Sequence, residues 1–153
     1  MTRQPGVRLP ASVLRDIVAH ARRTAPEECC GLLLGSAGNT GSTGSPLDVE
    51  DADVQVEGSV PARNLRRSPT RYLVDPADHF AAIRTARQQG RAVIGAYHSH
   101  PAGPPDASAT DEREASDTDF LYVIVSVATG AAKVFRPSAG GLREMLLTIG
   151  PDA

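Results

Sequence analysis

Apolar positions along the chain repeat with two different periods, and their succession predicts an α/β protein. Val13, Leu14, Ile17, Val18 and Ala21 recur at helical spacing, while Arg15, Arg22 and Arg23 fall off that face. This predicts an amphipathic helix over 11–24, closed off by Pro26, with His20 near its end as a surface or packing histidine. There the helix dipole favours partial positive charge on His20. A second helix is predicted from Pro76, with Asp75 as its N-cap and Gly90 at its stop. Phe80, Ile83 and Ala86 form its apolar face, and Arg84 and Arg87 its basic one.

Shorter and denser apolar runs read as strands. They fall at 7–9 as an edge strand, at 28–34 with Gly31 inside and Gly35 at its end, at 54–60 and at 71–74. Further runs follow at 92–97, 120–127, 133–136 and 142–149, with a short polar helix over 112–117. Between the second and third strands lies a Gly/Ser/Thr-rich loop, continued by Asp48, Glu50, Asp51 and Asp53 as a solvated acidic stretch. The sum is an α/β fold, a mixed or antiparallel sheet of six or seven strands flanked by two main helices. A single domain over 1–153 is expected, with 36–53 as a flexible loop.

Composition narrows the function classes. A net charge of −2, a pI near 6.1 and six aromatics without Trp give no surface for nucleic acid. The longest wholly apolar run, at 120–125, is far short of the ~20 residues a membrane helix needs. Cys29 and Cys30 are adjacent, too close for an ordinary disulfide, and no Cys₄ zinc module exists. The first twenty residues carry Arg3, Arg8, Arg15 and Asp16 and no apolar leader core, so a cytoplasmic location is expected.

One segment carries chemistry: His98-Ser99-His100, seven residues, Ser108, two residues, Asp111. Residues two apart in a strand share a face, so both imidazoles reach one point, and a Gly/Pro-rich loop returns Asp111 over the strand end. Two imidazoles and a carboxylate, with water in the fourth position, make an open catalytic zinc site. Such a site needs a proton carrier, and neither the HExxH nor the deaminase pattern is present. Glu27 and Glu28, leading into an apolar strand, are the candidates. Ser108 as a nucleophile is the competing reading, but no His–carboxylate pair accompanies it at a recognisable spacing.

The two segments, Glu28-Cys29-Cys30-Gly31-Leu32-Leu33-Leu34-Gly35 and the His-x-His-x₇-Ser-x₂-Asp run, together resemble the JAMM, or MPN-plus, metalloisopeptidases. The small bacterial branch is the most similar. The resemblance implies a cytidine-deaminase-like MPN fold and one zinc ion held by His98, His100 and Asp111. It also implies Glu28 as general acid and base and Ser108 as a donor to the tetrahedral oxyanion. Glu28 has the E-x-x-G spacing of the family and Glu27 does not. The implied substrate is the C-terminal Gly-Gly tail of a ubiquitin-like or sulfur-carrier protein. The run Asn64–Asp75 is similar to a segment that bacterial members carry before their second helix, and Arg63, Arg66, Arg67 and Arg71 are expected to border the tail. Two other functions fit the same residues: a zinc hydrolase acting on a small peptide or metabolite, and a non-catalytic scaffold. The oligomeric state is open.

Overall fold

Among the described residues seven strands close on themselves in the order β1-β3-β2-β4-β5-β6-β7, with three helices packed outside. The structure is a computed structural model, and it describes residues 6–36, 53–115 and 119–151. Most of the 36–53 loop, with Asp48, Glu50 and Asp51, lies outside the described residues.

The strand β1 (Gly6–Pro10) leads directly into α1 (Ala11–Thr24). Its apolar stripe buries Val13, Ile17 and Ala21, as the helical spacing requires, with Leu14 packed alongside. β1 is not the edge expected from its length. It pairs in parallel with both β3 (Val54–Ala62) and β7 (Gly141–Gly150), which is what closes the sheet and removes its edges. Asp53 serves that junction and is not free in solvent: its carboxylate accepts from Gly6 N at 3.1 Å and pairs with Arg8 at 3.2 Å.

The centre is formed by β2 (Cys30–Ser36), β4 (Arg91–His100) and β5 (Leu121–Ser126). Residues of β2 and β5 are buried almost throughout, because helices or neighbouring strands cover both of their faces. β4 is antiparallel to β2 and parallel to β5, whereas β6 (Ala132–Ser138) and β7 continue antiparallel from β5. A parallel pair cannot be joined by a tight hairpin. The chain therefore leaves the C-terminal end of β4, crosses through a loop and α3 (Ala109–Glu114), and re-enters at β5. That crossover brings Asp111 back over the histidines.

α2 (Pro76–Gln88) starts as expected: Asp75 accepts from Ala77 N at 2.9 Å, and Gly90 follows its end with φ of 69°. Its buried face is different from the one the pattern suggests. Ala82 and Ala86 pack inward while Phe80 stands 64% exposed, since small residues let the helix lie close to the sheet. The strand expected at 71–74 is absent; only Val74 makes an isolated bridge, to Asn64, and the rest is a loop organised by side chains. α3 begins three residues before the expected 112–117 helix because Ser108 caps it. It is the short helix expected beside the two main ones, shifted toward the N-terminus. Among the described residues no helix is long and apolar enough to cross a membrane.

Candidate metal centre

The β2–β4 register assembles the site. Cys30 is opposite His98, and the pairing continues as Ser99 N donates to the Cys29 carbonyl at 3.2 Å. Ser99 Oγ accepts from Cys29 N at 2.8 Å on the face away from the histidines. Glu28 is thereby carried to the strand end where His98 and His100 emerge.

His98, His100 and Asp111 converge, with one candidate ligand atom from each lying within 4.8 Å of the other two. His98 Nε2 is 3.0 Å from Asp111 Oδ1, and His100 Nε2 is 3.0 Å from Asp111 Oδ2. Asp111 is fixed by a capping box: its N–H donates to Ser108 Oγ at 3.0 Å, and Ser108 N donates to Asp111 Oδ2 at 2.9 Å. Burial pushes the Asp111 carboxyl up, but the His100 and His98 imidazoles and the Ser108 N–H outweigh it and hold it well below the usual range. It is an anion. His98, 2% exposed, is pushed down by burial against the opposing pull of Asp111, which keeps its imidazole neutral.

Glu28 is 3% exposed, and its Oε1 has no hydrogen-bond partner among the described residues. Burial lifts its carboxyl to about 8, His100 opposes the rise, and Asp111 and Glu114 add to it. Glu27 beside it is half-exposed, and its N–H donates to the Thr24 carbonyl at 3.1 Å. Burial thus separates two glutamates that composition alone leaves equivalent. A buried polar atom without a partner is costly. Glu28 Oε1 and His98 Nδ1 are such atoms, and the centre beside them fits a divalent cation by its donor set of two imidazoles and one carboxylate.

A model of prokaryotic homologs of the JAB domain matches residues 10–138. The chain belongs to this family. Over 116 residues this JAB domain is 33% identical to the CysO-cysteine peptidase of Mycobacterium tuberculosis, a match that covers 76% of the chain and 70% of that protein. It is 32% identical over 124 residues to the desampylase of Haloferax volcanii, covering 77% and 78%. A solution structure of a Desulfitobacterium hafniense protein superimposes with a TM-score of 0.79 at 31% identity, over 95% of this chain and 94% of that one. The JAMM resemblance read from the motif and the JAB fold therefore agree.

The sequence reading assigned no role to two residues beside the candidate centre, Asn64 and Tyr72. Tyr72 stacks on His98, with ring centroids 4.4 Å apart and 21° between planes. Asn64 donates to the Glu28 carbonyl at 3.0 Å. Neither carries a periodic signal, because a loop held by side-chain hydrogen bonds has no repeat to detect. Of the four expected arginines, Arg66 lines a cavity of about 420 Å³ beside the centre, with Leu32, Tyr72, Phe120 and Tyr122, and pairs with Glu114 at 3.1 Å. Arg63 is engaged by Asp75 at 3.0 Å and Asp78 at 3.2 Å. Cys29 and Cys30 are both free and buried. His20 is a packing histidine: its Nδ1 is 2.7 Å from the Tyr97 hydroxyl, and burial with nearby Arg23 pushes its pKa down, against the positive charge expected there.

Proposed function

We propose that this JAB domain is a zinc-dependent peptidase that cleaves the peptide or isopeptide bond following the C-terminal Gly-Gly of a ubiquitin-like or sulfur-carrier protein. The observation that carries the reading is the pairing of a three-donor cluster with a buried carboxyl, Glu28, whose Oε1 has no other partner. In this reading His98, His100 and Asp111 are the ligands. Zinc, when bound, supplies Lewis acidity, polarising a carbonyl and lowering the pKa of water toward ~7.

The chain's own groups supply the rest. Glu28, as the carboxylate, accepts the proton of the attacking water and returns it to the leaving amine nitrogen. Ser108 Oγ spends a lone pair on the Asp111 N–H, which leaves its O–H free to donate to the oxyanion. Ser108 is exposed at the rim, where an approaching carbonyl meets it. The adjoining cavity, lined by aromatic and apolar side chains together with Arg66, Arg113 and Glu114, suits the extended chain that precedes the Gly-Gly. The substrate class is supported by the relatives, whose names specify a CysO-cysteine peptidase, desampylases and a TtuB-protein conjugate cleaving protease.

The test is intact-mass spectrometry of a ubiquitin-like sulfur carrier extended beyond its Gly-Gly, incubated with the zinc-loaded protein and with Glu28→Gln. Cleavage after Gly-Gly by the wild type and not by the variant is expected. A zinc-loaded wild type that leaves the carrier intact but hydrolyses a short peptide would move the substrate to small molecules. Binding of the carrier without any hydrolysis would make the domain a scaffold.

A further inference from the structure

The two histidines of the centre are supported differently. A metal-binding imidazole ordinarily donates its second N–H to a carbonyl or carboxylate, which fixes both tautomer and ring orientation. His100 follows this rule: its Nδ1 is 2.8 Å from the Pro104 carbonyl, which can only accept, so Nδ1 carries the proton and Nε2 offers its lone pair. His98 has no such bond. Its Nδ1 is buried and has no hydrogen-bond partner among the described residues. On its ring face lies Tyr72, at 4.4 Å and nearly parallel.

Tyr72 is itself held from both sides by one side chain. Asn64 Nδ2 donates to the Arg71 carbonyl at 3.0 Å, and Asn64 Oδ1 accepts from Leu73 N at 3.0 Å, so the residues flanking Tyr72 are fixed to the same amide. Leu65 N donates to the Leu73 carbonyl at 2.9 Å and closes the loop. The same Asn64 Nδ2 reaches the Glu28 carbonyl, and Glu28 N donates to the Ser68 carbonyl at 2.8 Å. One loop therefore ties together the residue beside His98 and the backbone of Glu28. The Tyr72 phenol is pushed above its ordinary value by burial, so the ring is neutral and not a competing anionic ligand.

We propose that Tyr72 is the positioning residue of His98, orienting the imidazole toward the metal by ring stacking where His100 uses a hydrogen bond. The inference rests on the metal-ligand reading of His98 but on no particular substrate. Without the stack the His98 ring turns about its own axis, and binding zinc then costs the entropy of ordering it.

Zinc affinity, measured by competition with a chromophoric chelator, tests it on wild type, Tyr72→Phe and Tyr72→Leu. Phe retains the ring, and its affinity should stay close to wild type; Leu removes it, and affinity should fall on the order of 10–100-fold, as for other supporting groups of metal sites. A folded Tyr72→Leu that binds zinc like wild type overturns the proposal, as does a Tyr72→Phe that loses as much as Leu. A wild type that binds no zinc overturns the metal reading itself. Should the Leu variant fail to fold, wild-type NMR decides: nuclear Overhauser contacts between the Tyr72 and His98 rings are expected, and their absence excludes the stack.

Discussion

Gly31 and Tyr97 face each other across β2 and β4, and the tyrosine ring occupies the space where a side chain on residue 31 would stand. A Cβ placed on Gly31 would lie 2.2 Å from Tyr97 Cε2. The ring, 2% exposed, anchors its hydroxyl on His20 of α1 and so joins helix, β4 and β2 at one point. The glycine three residues after Glu28 is thus required for packing, and it sets the closeness of the strand that carries Glu28 to the strand that carries His98 and His100.

Gly31→Ala is accordingly expected to destabilise by overpacking, by about 1–3 kcal/mol. At this chain length that corresponds to a fall in Tm of roughly 2–12 °C. Thermal unfolding followed by circular dichroism reads it. An unchanged Tm would mean that Tyr97 has room to move, contrary to the geometry.

The raised Glu28 carboxyl predicts a pH dependence for the zinc-stripped protein. Its value rises from an ordinary 4.5 to about 8 on folding, so the folded state holds a proton that the unfolded state has released. Stability from this group therefore falls as pH rises from about 4.5 to about 8, and levels off above. Glu28→Gln, uncharged throughout, lacks that decline. The stability of the variant relative to wild type, from urea titrations, should be small near pH 5 and grow toward pH 8. A constant difference across that window would contradict the assigned burial.

The adjacent thiols should be inert in the folded protein. Burial lifts Cys29 to about 11 and Cys30 to about 12, and the thiolate is the reactive form. A chromogenic disulfide reagent at pH 8 should label neither residue in native protein and both in guanidinium. Prompt labelling of one thiol per native chain would show that β2 opens readily.

Asp111 joins two duties, closing the capping box of α3 and facing both imidazoles. Asp111→Asn keeps an Oδ1 acceptor for the Ser108 N–H but removes the charge. It should retain helix α3 and lose zinc binding, whereas Glu28→Gln should retain zinc and lose turnover by about 10²–10⁴-fold. Zinc content after dialysis, set beside kcat, separates the two. An Asp111→Asn protein that still holds one zinc ion per chain would remove Asp111 from the ligand set.

Much of this protein was decided locally. The helical stripe of α1, the Asp75-Pro76 start of α2 and the dense apolar runs at 28–34 and 120–127 are short-range patterns, because each follows from the period of one element. The donor set of His98, His100 and Asp111 was legible too, since a strand aligns alternate residues and a short crossover limits where Asp111 can go. The choice of Glu28 over Glu27 needed the family pattern, and burial gives it a physical reason. Three features left no periodic trace in the sequence. Closure of the sheet through β1 needs the parallel partners β3 and β7, both distant from it in sequence. Phe80 is exposed because the face of α2 that meets the sheet is the one carrying Ala82 and Ala86. Residues 71–74 read as a strand because Tyr72, Leu73 and Val74 are good strand residues, yet Asn64 already binds the backbone groups that a neighbouring strand would need. Only the tertiary structure could decide that, since hydrogen bonds from one side chain replaced those of a sheet.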